Sequence, residues 1–277
     1  MSEIAPFLPL IFTLALVGAV AGFSAGLFGI GGGAVMVPAL FFAFDALGTP
    51  EHIVMHSAVA TSSAVIIVNA MRSTHSHHKH GAVDWSLLWP RNPFLSYALW
   101  IGLGSFIAAL WIAPRLSGQA LSILFAIIAV FVALQFIFGR PDLKLRDNIP
   151  DGIARPVVGG SVGVISSLMG IGGGSLTVPL MSLCGVPIHR AVATASGFGF
   201  AIALPATIGL VISGWSVDGR QPFSLGYVNA LGFAIIGFLT VPLGTKAAHS
   251  MDQKNLKRIF GVCLFLVAVN MVRKVMA

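Results

Sequence analysis

Gly29 to Pro38 reads GIGGGAVMVP and Gly170 to Pro179 reads GIGGGSLTVP, so seven of ten positions are identical at an offset of 141. A second pair of blocks follows each run in the same order, HSAVATSS at His56 to Ser63 and HRAVATAS at His189 to Ser196. Two such pairs in one order mark an internal duplication, which fixes architecture more firmly than hydropathy alone. Outward from the glycines, each copy divides into five apolar stretches. In the first copy they run about 7 to 28, 34 to 47, 53 to 71, 93 to 113 and 119 to 139. In the second they run about 153 to 170, 175 to 186, 188 to 213, 224 to 244 and 256 to 275.

Composition says what surrounds those stretches. Of 277 residues, 56% are hydrophobic and 9% charged, where a soluble domain carries roughly a quarter charged. The sequence therefore predicts an all-α polytopic membrane protein. A helix needs about 20 residues to cross the hydrocarbon core, so the second stretch of each copy is too short to cross unaided. It reads as a half-helix that follows a glycine-rich loop near mid-membrane, or as part of a steeply re-entrant piece. Lys and Arg collect on the cytoplasmic side. If all ten stretches carry the chain across, the sixteen Lys and Arg divide twelve to four, against ten to six if the short stretches do not cross. Ten crossings are favoured, with both termini outside. Five crossings per copy make the copies two inverted repeats, a plan common among secondary transporters. The predicted division is 1–140, a cytoplasmic linker at 141–152, and 153–277.

The net charge of +7 does not point to nucleic acid, because the basic residues are scattered through loops and form no stripe with interleaved aromatics. Cys184 and Cys263 have no spacing that suggests a disulfide framework or a zinc site. The N-terminal MSEIAPFLPLIF has no basic n-region and no cleavage site, so the first apolar stretch is expected to remain as helix one.

The glycine runs carry the chemistry. Irregular backbone is tolerated at membrane depth only where it is buried in protein or lines a cavity. Glycine allows positive φ and close approach of a ligand to main-chain N–H groups. The helix that follows begins with unsatisfied N–H groups and a partial positive charge, which suit an anion. The candidate binding residues are Gly31, Gly32, Gly33 and Ala34 in the first copy and Gly172, Gly173, Gly174 and Ser175 in the second, Ser175 and Thr177 adding hydroxyls where the first copy has Ala34 and Met36. The alternative reading is close helix packing by small residues.

These residues, with the stretch His77, His80, Gly81, Val83, Asp84 and Trp85, make the chain similar over essentially its whole length to the sulfite exporter family TauE/SafE. That family comprises anion permeases of the bacterial inner membrane. Its members are associated with sulfite, sulfonates, thiosulfate and related sulfur or carbon acids, so the resemblance implies an anionic substrate without naming it. The expected function is secondary transport of a small sulfur-containing anion such as sulfite, thiosulfate or an organosulfonate, and no cofactor is expected.

The second block pair adds Thr61, Ser63, Thr194 and Ser196 as candidate ligands, whose hydroxyls have the alternative of bonding back to their own helix. Arg190 replaces Ser57 of the first copy and offers a fork for a sulfonate or sulfite; its alternative is a topology signal. His56 and His189 are candidates for proton coupling, with capping or interfacial roles as the alternative. Asn69 and Gln135 rank below the loops, since a buried amide often only joins helices. The alternative function is a transition-metal permease using the His-rich loop from His75 to His80. Its Lys79 and its lack of carboxylate or thiolate argue against that. An enzyme is not expected, because no HExxH motif or nucleophile with an aligned base appears in the apolar stretches. No Walker element is present. Intramembrane carboxylates are scarce, which leaves H⁺ or Na⁺ open as coupling ion.

Overall fold

In a computed structural model the chain is described at residues 8–28, 32–139, 146, 148–219, 224–229 and 239–250, and at 258, 261–262, 264–266, 268–271 and 273. Gly31, most of the first half of the 141–152 linker, residues 230–238 of the ninth apolar stretch, and Cys263 lie outside them.

The glycine runs separate helices in both copies. Helix α1 (Leu8–Phe28) precedes the first, and α2 (Gly33–Ala46) follows it. The third stretch of the copy is α3 (Glu51–Lys79). In the second copy α7 (Ala154–Met169), α8 (Gly174–Leu183) and α9 (Ile188–Ser213) repeat the order. Between them lie the short α4 (Trp85–Leu88), α5 (Tyr97–Ile107), whose axis continues through a π turn at Ala108–Ile112 and a 3₁₀ turn to Arg115, and α6 (Gly118–Phe138). After α9 come a two-stranded antiparallel hairpin, β1 (Ser224–Leu225) on β2 (Val228–Asn229), and α10 (Val241–Ser250).

The half-helices are short, at 14 and 10 residues, and both stop by one device. Gly48 and Gly185 take left-handed φ of 74° and 78° just past the C-caps. The next N–H then closes a 6→1 bond, Thr49 to the Phe44 carbonyl and Val186 to the Met181 carbonyl, each at 3.0 Å. Pro50 and Pro187 immediately start α3 and α9.

At the centre α3 packs on α9. Around this pair the two copies interlock: α5 of the first lies on α7 of the second, and α10 of the second lies on α1 of the first. Glycine permits both contacts. A methyl on Gly163 would overlap the Ile101 carbonyl, one on Gly104 the Gly160 carbonyl, one on Gly26 the Val241 carbonyl and one on Gly244 the Phe23 carbonyl. Such close backbone approach is how membrane helices gain packing without a hydrophobic drive.

The outer surface is apolar. Along α6, Ile123, Ile127, Phe131, Leu134 and Phe138 are exposed at steps of three and four, and Phe12, Leu16 and Val20 form a similar row on α1. A stripe of that size facing water would be an aggregation surface; in lipid it is the outer wall. Four helical segments among the described residues are long and apolar enough to cross a membrane: Glu51–Lys79, Tyr97–Arg115, Gly118–Phe138 and Ile188–Ser213. The protein is a multi-pass, mainly α-helical membrane protein.

Two expectations change. Hydropathy makes 224 to 244 one apolar segment, but its first six residues are the hairpin, because Gly226 at φ 60° turns the chain back and hydropathy cannot see a turn. The His75–His80 segment is not the expected loop, since α3 stays helical through Lys79 and ends where Gly81 adopts φ 65°.

Candidate functional site

The two glycine loops meet each other. Gly33, the first residue of α2, lies so close to the second loop that a methyl on it would overlap the Gly170 carbonyl and sit 2.8 Å from the Ile171 Cα and the Ile66 Cδ1. Gly170, at the end of α7, has φ 60° and abuts the α3 backbone, with Val59 Cα and O each 2.9 Å from where its Cβ would be. Ser62 donates to the Gly170 carbonyl at 2.9 Å. Gly173 presses on α9, its missing Cβ 2.9 Å from the Gly199 nitrogen and 3.0 Å from the Phe198 Cβ. Gly32 at φ 80° caps α2 and abuts the Ala21 carbonyl. Conformation therefore demands glycine at Gly32 and Gly170. At Gly173, whose φ is −53°, only space does. Gly32, Gly33, Ala34 and Gly172 to Ser175 are all buried, so the loops are enclosed by α3 and α9.

The prolines of the motif lie inside α2 and α8. Pro38 and Pro179 have no N–H for the carbonyls of Ala34 and Ser175, four residues earlier. The first turn of each of these short helices thus begins with N–H groups that lack an intrahelical partner, and the carbonyl of its second residue, Ala34 or Ser175, loses its i+4 donor. Thr177 spends its hydroxyl on the Gly173 carbonyl at 2.6 Å. Ser175 does not: its Oγ is buried and has no hydrogen-bond partner.

The second block pair does a different job. Thr61 accepts the Asn229 N–H at 2.9 Å, and Thr194 accepts the Asp84 N–H at 2.9 Å. Each threonine thus holds a segment of the other copy. Those segments are themselves repeats, GAVD at Gly81 to Asp84 and GYVN at Gly226 to Asn229, with both glycines left-handed. This third repeat was legible as G-x-V-D/N, but its offset of 145 differs from that of the other blocks and hid it. Ser63 returns to its own helix at Val59 O, 2.9 Å. Ser196 returns to Val192 O at 3.2 Å and also shares a 2.9 Å bond with Ser73, joining α9 to α3.

The ionisable candidates are spread apart. Arg190 is 54% exposed and lies 3.4 Å from the Asp84 carboxylate at the surface. His189 beside it is exposed. His56 is buried, its Nε2 3.0 Å from the Ala113 carbonyl where the π turn ends, and its ring stacks on Tyr227. The repeat-related histidines thus occupy unlike surroundings. In the His75–His80 segment, His77 points inward, with Nε2 3.0 Å from the Gly26 carbonyl, and the His78 Nδ1 accepts the Trp85 indole N–H at 3.1 Å. Among the described residues no group of three His, Cys, Asp or Glu is placed to hold a metal. A cavity of about 350 Å³ lies near the far end of α2, but Asp45 and Glu51 line it and make it hostile to anions.

One residue ranked low in the sequence gains weight. Asn69 on α3 is wholly buried, and neither its carbonyl oxygen nor its amide nitrogen has a partner.

A family model, sulfite exporter TauE/SafE, matches residues 14–271. The chain belongs to this family. It is 32% identical over 262 residues to a probable membrane transporter protein of Haemophilus influenzae, covering 94% of this chain and 97% of that one. A probable membrane transporter protein of Methanocaldococcus jannaschii is 29% identical, with 91% of each chain covered. A third, from Bacillus subtilis, is 26% identical over 94% of this chain and 96% of its own. No solved structure matches. The duplicated glycine loops of this TauE/SafE chain therefore belong to a membrane transporter.

Proposed function

We propose that the protein is a secondary carrier of a small sulfur-containing anion, such as sulfite, thiosulfate or an organosulfonate, working by alternating access around the paired glycine loops. One observation carries the reading: two glycine loops touch in the protein interior, beside helix starts and a buried hydroxyl that has no partner. Unsatisfied buried donors are costly unless something fills them, and helix-start N–H groups favour an anion. Inverted copies rocking about this contact would expose it to each side in turn. In this reading both termini are periplasmic in a bacterial inner membrane, and the 141–152 linker is cytoplasmic. The coupling ion is H⁺ or Na⁺. The carbonyls of Ala34 and Ser175, released by Pro38 and Pro179, are acceptors of the kind that hold Na⁺ beside an anion.

Detergent-purified protein is heated with sulfite, thiosulfate, sulfoacetate, taurine, sulfate, acetate, Ni²⁺ or Zn²⁺, and the same compounds are tested for flux in proteoliposomes. A ligand that binds the folded state raises the melting temperature. The expected result is stabilisation and flux with one sulfur anion. Stabilisation by Ni²⁺ or Zn²⁺ alone, removed by replacing His75 to His80, would overturn the carrier reading in favour of a metal permease.

A further inference from the structure

The duplication supplies two glycine loops, but the structure does not arm them equally. The start of α2 faces the chain's own Gly170 carbonyl, an acceptor already fixed by Ser62. An anion there would meet an oxygen of like partial charge. Its side chains add nothing, because Ala34 and Met36 are apolar. The start of α8 carries Ser175, 2% exposed and without a partner at Oγ.

Asn69 belongs to the same neighbourhood. Along α3, Ser62, Ile66, Asn69 and Ser73 recur at steps of four, three and four, so they share one face. Ser62 binds the second glycine loop, Ile66 packs on Gly33, and Ser73 reaches Ser196 of α9. Asn69 lies on this face between Ile66, which meets the first glycine loop, and Ser73, which meets α9. The adjacent Ala70 brings this part of α3 close to the start of α8: a methyl on Gly199 of α9 would meet the Ala70 Cβ at 3.3 Å and the Gly173 nitrogen at 3.7 Å. In the second copy the positions equivalent to Ser62 and Asn69 are Ala195 and Ile202, both apolar.

The geometry points to a one-sided oxyanion seat built from the α8 start, the Ser175 hydroxyl and the Asn69 amide, with the α2 loop serving only as its wall. The seat rests on the anion-carrier reading and assigns its donors. They are neutral: N–H groups at the helix start, one hydroxyl and one amide NH₂. Such a set suits the tetrahedral or pyramidal oxygens of a sulfur oxyanion, each oxygen taking one or two donors. Asn69 is the specificity-determining residue, since its amide presents both a donor for a sulfur oxygen and an acceptor for a hydroxyl or amine on an organic sulfonate.

The test uses Asn69→Leu and Ser175→Ala in the full chain, with thiosulfate, sulfite and sulfoacetate as probes. For each variant the melting temperature is measured without anion and across an anion titration. The expected result is that Asn69→Leu and Ser175→Ala each raise the apparent Kd at least tenfold, while the anion-free melting temperature stays level or rises, because an unsatisfied buried group has been removed. A merely structural Asn69 would instead lower the anion-free melting temperature and leave Kd alone, which would overturn the seat and leave the carrier standing. Equal stabilisation of wild type and both variants likewise overturns the seat alone. A wild-type protein stabilised by none of the three anions overturns the carrier reading and the seat together. Should Asn69→Leu yield no folded protein, the near-isosteric Asn69→Asp replaces it, and its added negative charge is expected to weaken the anion at least as much.

Discussion

Replacing Thr61 by Val keeps the shape of the side chain and deletes the acceptor that holds the Asn229 N–H. Thr61 is 0% exposed and Asn229 1%, so no water replaces the lost hydroxyl. A buried donor left without a partner costs about 1–3 kcal/mol. Val fills the same volume, so no cavity term is added. Thr194→Val removes the matching bond to the Asp84 N–H, but Asp84 is only half-buried and water partly compensates. Its cost should fall near 0.5–1 kcal/mol, at the low end of the range for a net hydrogen bond. Reversible unfolding in mixed micelles measures both values, and amide exchange reads the Asn229 N–H directly. The ordering is the discriminating result: Thr61→Val loses more than Thr194→Val, Thr61→Ser loses least, and Asn229 exchange accelerates only in the first. A Thr61→Val protein within ~0.5 kcal/mol of wild type, with Asn229 still protected, would refute the bond between copies.

The glycines of α7 separate space from conformation. Gly163→Ala is expected to destabilise by about 1–3 kcal/mol, since its methyl overlaps the Ile101 carbonyl, whereas Gly160→Ala, which meets nothing within 4 Å, gains up to ~1 kcal/mol from helix propensity; paired melting curves check the sign change. Arg190→Ala breaks an exposed ion pair worth at most ~1 kcal/mol, so uptake should keep its KM within about twofold in a proteoliposome assay. A tenfold rise in KM, about 1.4 kcal/mol of lost binding, would return Arg190 to the substrate site.

The parts of the fold that were legible are those written twice. The glycine runs, their following VP and the block beginning at His56 or His189 located α2, α3, α8 and α9 to within a few residues, except that α3 runs on to Lys79. Hydropathy ends that helix near 71 because it measures apolarity, while polar residues such as His77 continue the helix and anchor it to the Gly26 carbonyl. The hairpin at 224–229 escapes the sequence for the converse reason: Leu225, Tyr227 and Val228 are apolar, and the turn depends on Gly226 alone. At the candidate site, the glycine loops were legible by repetition. The duties of Thr61 and Thr194 were not, because an acceptor's partner on the other copy leaves no mark in local spacing. Asn69 is visible in the sequence only as one polar residue in an apolar stretch, and its want of a partner is a fact of packing.

Shared and differing positions of the two copies divide the work between them. Positions kept alike are spent on the scaffold: the glycines admit neighbouring backbone, the prolines open α2 and α8, Thr61 and Thr194 latch opposite copies, and Gly48 and Gly185 end the half-helices. Among the described residues, Gly32 and Gly173 both press on neighbouring backbone, and Thr61 and Thr194 both accept an N–H from the other copy. The buried polar atoms around the glycine loops that have no partner, at Ser175 and Asn69, occur instead where the copies differ, opposite Ala34 and Ile202. The proposed alternating-access carrier needs two arrangements within a few kcal/mol of each other, and a duplicated scaffold with a latch on each copy is suited to that although the two latches differ in burial. The carrier needs only one seat for the substrate, and a second set of unpartnered donors would cost stability without adding selectivity. Under the proposed seat, restoring symmetry by Ser175→Ala should leave the scaffold intact and weaken anion binding at least tenfold, whereas lost stability with an unchanged Kd would mean that this difference between the copies serves packing alone.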